Sequence, residues 1–225
     1  MSPRSMTASR RQFSMLLTAP VLILGLSACG SLPSKPVRAA VYDFGPGPLD
    51  ANALKQAAGL PVLALADVET SGGAIDKLAV LYRLGYVDAQ QLRPYAQAQW
   101  SMPAAGLVQQ RLRQRLGQQF AIVSAGEGAA MARVQGKPPL VLRVTLLEFT
   151  HFFASSQESF GLLRLQVTLL ENTLAGIQVL AQREVLSRQP ANTLDAPGGV
   201  SALAAATDVA AHALAVWLAP IDAAR

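Results

Sequence analysis

The sequence predicts an α+β fold: a single domain with a mixed, largely antiparallel sheet and two helices packed on one face. The predicted order is β-β-β-α-β-β-β-β-α. Three observations predict it. Residues 140–190 hold three successive runs in which apolar and polar residues alternate. Two other segments, 103–119 and the stretch after Pro197, carry apolar residues at helical spacing. Hydrophobic residues make up 51% of a 225-residue chain, which suffices for one sizeable core.

The N-terminus comes first in chain order. Residues 1–28 contain Arg4, Arg10 and Arg11 and no acid, followed by an apolar run from Met15 to Leu26. That is the basic start and short apolar core of an export signal, and the run is too short to span a bilayer. It ends in Leu26-Ser27-Ala28-Cys29, and Cys29 is the only cysteine in the chain. The string resembles a bacterial lipobox. In such signals the thiol is diacylated and the peptide is cut before the cysteine. Cys29 is therefore the expected lipidation site, carrying fatty acyl chains such as palmitate. Several chains on one residue make a durable anchor, each buried methylene contributing about 0.8 kcal/mol. The string Ser9-Arg10-Arg11-Gln12-Phe13 also resembles a twin-arginine export signal. A plain basic start followed by general export reads equally well. Gly30, rather than aspartate, follows the cysteine. By resemblance to lipoprotein sorting signals this favours the periplasmic face of the outer membrane, with the inner membrane as the alternative.

Cleavage at that point leaves 197 residues without a thiol, so no disulfide or Cys-ligated metal is expected. The excess of basic over acidic residues falls from five to two, and nucleic acid is not an expected partner. Only 15% of the residues are charged, which suits a protein that buries surface against a partner or a membrane.

Residues 29–38 read as a Pro-containing lipidated tether and 39–220 as the folded domain. Residues 39–45 predict a first strand, stopped by Gly45-Pro46-Gly47-Pro48. Residues 49–60 read as a short helix or a loop. Residues 61–70, apolar on both faces, predict a central strand broken by Ser71-Gly72-Gly73. Residues 76–88 predict another strand, with Leu78, Val80, Tyr82 and Leu84 on one face. The stretch from Gln90 to Pro103 shows no clear period. Pro103 suits the first turn of a helix over 103–119, with Ser101 as its cap and Leu107, Val108, Leu112 and Leu116 as its stripe. Residues 120–124 predict a short strand. The runs 140–154, 160–172 and 177–189 predict an antiparallel meander with one wet face. Last comes a long alanine-rich helix with Leu203, Ala206, Ala210, Leu214 and Trp217 in register, ended by Pro220.

Motifs for chemistry are scarce. His151 and His212 lie in separate elements without ligand spacing, so no metal or cofactor is expected. The chain has no Gly-x-Ser-x-Gly, Ser-x-x-Lys or Walker loop. Gly126 and Gly128 read as turn glycines, because Met131 stands where a dinucleotide fingerprint needs a third glycine. A non-enzymatic role is the expectation. Arg111, Arg113 and Arg115 make an acid-free helix that suits an anionic partner or a solvated face. Tyr82, Tyr86, Tyr95 and Trp100 fall within 19 residues and read as core aromatics or as an interface patch.

Taken in order, Tyr42 and Phe44 on the first strand, Tyr82-Arg83, Tyr95 and Trp100 leading into Pro103 and the Leu/Arg helix, "LRVTLLEF" and the closing alanine-rich helix resemble the ABC-type transport auxiliary lipoprotein family, from about residue 40 to 219. Phe44 stands where leucine is the more usual residue of that pattern. The resemblance implies an accessory role beside mammalian-cell-entry (MCE) proteins and an ABC permease and ATPase on separate chains, in phospholipid transport between the inner and outer membranes. It implies docking rather than chemistry. The expected docking surface is the sheet edge or the region of Tyr82, Arg83, Tyr95, Trp100, Arg111 and Arg115. A homo-oligomer is compatible with this, as is an envelope-assembly lipoprotein unconnected with a transporter.

Overall fold

The structure, a computed structural model, describes residues 38–47, 59–126 and 138–223. Cys29, its signal, the tether up to Val37, the segment 48–58 and the segment 127–137, which holds Gly128 and Met131, lie outside the described residues. The strands are β1 (Ala40–Tyr42), β2 (Val62–Leu65), β3 (Glu69–Thr70), β4 (Ala79–Leu84), β5 (Ala89–Trp100), β6 (Ala121–Ser124), β7 (Leu140–Phe153), β8 (Ser159–Thr173) and β9 (Gly176–Pro190). The helices are the single turn α1 (Gly85–Asp88), α2 (Ala104–Leu116) and α3 (Ala196–Ala223).

β7 is the spine. Its alternation of Leu140, Leu142, Val144 and Leu146 with Val141, Arg143 and Thr145 is that of a half-buried strand. Along one edge it pairs with β8, which pairs in turn with β9, both antiparallel and over almost their whole lengths. Its other edge is shared by three short parallel partners in succession. β2 sits beside residues 140–142, β3 beside 145–146 and β4 beside 151–153. β6 extends the sheet beyond β2, and β5 then β1 extend it beyond β4. The mixed, largely antiparallel sheet is thus present, with its long ladders antiparallel and its short ones parallel.

One face is covered by α2 and α3, which pack on each other. The core joins Leu107, Val108, Leu112 and Leu116 of α2 and Leu203, Ala206, Ala210 and Leu214 of α3 to the inward residues of β2, β7 and β8. The opposite face is wet, with Arg143, Arg164, Gln166 and Glu184 exposed, and Arg164 pairs with Glu184 at 3.3 Å.

Several elements differ from their sequence reading. The 61–70 strand is two strands, because Ala66-Asp67-Val68 leaves the ladder between β2 and β3. The 76–88 strand stops at Leu84, where α1 reverses the chain into β5. The unpatterned 90–100 stretch is that twelve-residue β5. Pro103 is the residue before α2 rather than within it, at φ −52° and ψ 143°, and no side chain caps the helix. Pro220 does not end α3, which runs to Ala223. In the last turn its missing N–H removes one helical bond, and the three residues after it continue the helix.

α3 is long and apolar enough to cross a membrane, but half of its most apolar window is buried against the sheet, as in a core helix. Its close seat needs two glycines. A Cβ on Gly161 of β8 would stand 2.5 Å from the backbone of Ala202, and one on Gly199 would stand 2.5 Å from Nδ1 of His151.

Candidate functional site

The residues singled out in the sequence fall into three groups. Arg111 and Arg115 lie on α2 one turn apart and both turn toward α3, where Asp208 stands. Arg115 makes a two-pronged pair with that carboxylate, Nε to Oδ1 at 2.9 Å and one terminal nitrogen to Oδ2 at 2.9 Å. The hydrogen bond from Arg115 to Asp208 raises the guanidinium pKa above its ordinary value. Arg111 reaches the same carboxylate only at 3.4 Å. Arg111 also donates to the carbonyl of Phe44 and lies 5.4 Å from the centre of its ring. Arg113 points elsewhere, to Ser124 Oγ at 3.0 Å. The acid-free helix therefore finds its acid on another element.

Arg83 of β4 forms the second group. It pairs with Glu148 of β7 at 3.0 Å and donates to the carbonyls of Ala89 and Gln90. It ties the α1 reversal to the spine. Thr150 also donates to Glu148, at 2.7 Å.

The third group is aromatic and polar. Tyr82 and Tyr95 sit on neighbouring strands with ring centres 4.6 Å apart. The Tyr95 hydroxyl is 2.8 Å from Nδ1 of His151, whose Nε2 is 2.8 Å from Ser159 Oγ. These two bonds satisfy a neutral imidazole, in which one nitrogen donates and the other accepts. Burial pushes the His151 pKa down to about 4, against a small opposing pull from Asp195. Burial, with Tyr82 and Asp195 adding, raises Tyr95 above the ordinary tyrosine value. Asp195 caps α3, accepting the Gly198 N–H at 3.0 Å. The Thr193 hydroxyl and that N–H hold its carboxyl below the usual range.

Ser159 and His151 superficially suggest a nucleophile and its base. Both are buried, and the third partner is a phenol, so neither presents a reactive atom to solvent. Among the described residues no three His, Cys, Asp or Glu side chains gather to hold a metal. His212 is exposed on α3.

Of the six residues expected at a docking surface, the structure brings Tyr82 and Tyr95 together and brings Arg111 to Arg115. Trp100, 2% exposed, packs on Phe44 and Phe149 in the core, and Arg111 is 8% exposed. Neither offers a broad surface to a protein partner, because Phe44 and Phe149 pack on the first, and Asp208 and Phe44 hold the second, whose small remaining exposure is at a cavity wall. Tyr82, Arg83, Tyr95 and Arg115 are half-buried and spend their polar atoms or ring faces inside the domain. What remains exposed beside them is the α1 knob, Tyr86 and Val87.

The sheet edge is more open. Among the described residues the outer edge of β9 has no partner. Its first half, Gly176 to Ala181, contains no charge, and Ile177 and Val179 there are 68% and 60% exposed. Leu174, in the turn from β8, is fully exposed. A bulge between the Leu169 and Leu170 pairings admits Leu180 as an extra residue in β9. The uncharged run ahead of Arg183 was this patch's only signal in the sequence.

No family model matches the sequence, and no curated protein does. Solved structures share the fold. Protein XCC0632 from Xanthomonas campestris, of family DUF330, is 17% identical with a TM-score of 0.57, over 72% of this chain and 88% of that one. A second crystal structure, of an uncharacterized protein, is 13% identical with a TM-score of 0.56, over 80% of this chain and 99% of that one. At such identities the likeness is one of fold.

Proposed function

We propose that this protein is a lipid-anchored, non-enzymatic accessory component of an ABC/MCE-type transport system. It works at the periplasmic face of the outer membrane, in phospholipid traffic between the two membranes. The observation that carries the docking role is the unpaired, uncharged start of β9 with its exposed Ile177 and Val179. A long bare edge is a liability in a free protein and a template for a partner's strand. The anchor is the acylated Cys29 expected from Leu26-Ser27-Ala28-Cys29.

The test places a photo-reactive amino acid at Val179 of the full chain in its native membranes. The expected product is a crosslink to an MCE-domain protein, with the permease and ATPase recovered in its company. Crosslinks confined to an outer-membrane barrel or its assembly factors would overturn the proposal in favour of envelope assembly. In parallel, Cys29→Ser should move the protein from the membrane to the soluble fraction. Retention of that variant in the membrane would remove the anchor from the account.

A further inference from the structure

Between the end of β1 and α2 lies a cavity of about 470 Å³, whose wall includes Asp43, Ser101, Gln110, Arg111 and Gln114. Its charges are unevenly matched. Arg111 is buried, yet the nearest carboxylate, Asp208, is already engaged by Arg115 in two bonds of 2.9 Å. Arg111 meets that carboxylate only at 3.4 and 3.5 Å, and its other bond goes to a neutral carbonyl. Two guanidiniums thus share one carboxylate, and a buried charge is costly unless paired. On the same cavity wall stands Asp43. Its Oδ1 accepts the Gly45 N–H at 2.7 Å, and it makes no ion pair among the described residues. Arg111 holds the carbonyl of the very next residue, Phe44, so the two opposite charges line one cavity with no ion pair between them. Gln110 and Gln114, one turn apart on α2, add neutral donors and acceptors beside them.

The geometry points to a binding site for a small zwitterion in this cavity, an anionic oxygen group against Arg111 and an ammonium at Asp43. A guanidinium matches phosphate and carboxylate alike through its forked donors. The ligand is therefore a phosphoethanolamine-type headgroup or a free amino acid, which share this chemistry. The site stands independently of the docking edge on β9, at the opposite side of the sheet order.

The experiment uses the full chain in a non-ionic detergent and four probes: glycerophosphoethanolamine, alanine, inorganic phosphate and ethanolamine. Thermal unfolding and calorimetric titration are read for each. One of the two zwitterions should raise Tm with concentration and bind at least tenfold more tightly than phosphate or ethanolamine alone. Which zwitterion it is identifies the source as lipid or amino acid. Gln114→Glu brings a second negative charge to the wall and should weaken that binding at least tenfold. Asp43→Asn should abolish the preference over inorganic phosphate. The Tm of each free variant, measured alongside, separates loss of binding from loss of fold. The proposal fails if neither zwitterion shifts Tm at millimolar concentration, if phosphate alone binds as well, or if folded Gln114→Glu binds as the wild type does.

Discussion

His151 joins three elements, β5, β8 and α3, at one buried ring. It is fully buried, holds Tyr95 and Ser159, and lies under Gly199 at the start of α3. Its pKa is lowered by burial from 6.5 to about 4. Between those values the unfolded chain binds a proton that the folded chain refuses, so stability falls as pH drops through that window. The full loss is about 3 kcal/mol, reached below pH 4 and absent above pH 6.5. Urea unfolding at pH 7 and at pH 4.5 should show this fall in the wild type, and His151→Gln should flatten it. Equal slopes for the two proteins would assign the pH dependence to other groups. Asp208 supports a second prediction of this kind. Asp208→Ala strands Arg111 and Arg115 together and should cost about 3 kcal/mol in urea unfolding. A cost near zero would mean that water satisfies both guanidiniums. The arginine spacing on α2 was legible in the sequence, but its partner was not. Asp208 is 93 residues from Arg115, and only the packing of α2 on α3 joins them.

Elements were legible in proportion to how regularly one of their faces is buried. β7 and β8 alternate almost without fault, and the sequence pattern located both. β5 did not show itself, because its buried residues are concentrated at its end, at Ala98 and Trp100, and its first half carries Gln90, Gln91, Arg93 and Pro94. Pro94 is tolerated in this outlying strand despite lacking a donor. The short parallel strands β2 and β3 are fused in the sequence reading, because both serve the same edge of β7 and the apolar run from Val62 continues through Ala66 and Val68 across the gap between them. The seat of α3 depends on glycines that a strand pattern would treat as defects. Gly161→Ala places a methyl group against the helix backbone at Ala202 and Leu203, which cannot yield as a side-chain tip can. It should cost about 1–3 kcal/mol by thermal unfolding. Gly126→Ala, whose methyl would meet open space, should stay within about 0.5 kcal/mol and serves as the control. Equal effects of the two substitutions would mean that α3 sits farther from β8 than described.

The molecule as a whole has a direction, set by register. The chain enters the sheet at Ala40, paired with Ala98 of β5, and β5 and β4 carry that level to the His151 end of β7. The β8–β9 turn lies beyond the other end, where Leu170 pairs with Val141. At about 3.3 Å per strand residue, the entry point and Leu174 are separated by roughly 40 Å along the sheet. On the proposed docking role, the exposed Leu174, Ile177 and Val179 face a protein rather than a bilayer. The triple variant Leu174→Ser, Ile177→Thr, Val179→Thr removes apolar surface that the domain does not bury, and threonine keeps the strand preference. Its Tm should match the wild type within about 2 °C, since exposed substitutions rarely exceed 0.5 kcal/mol. Its membrane fractionation should be unchanged. Co-purification of the proposed MCE-domain partner should fall at least tenfold, because the three side chains supply the apolar contacts that accompany strand pairing at this edge. A variant that loses the membrane but keeps the partner would reverse the assignment, making the turn a lipid contact and moving the docking surface elsewhere.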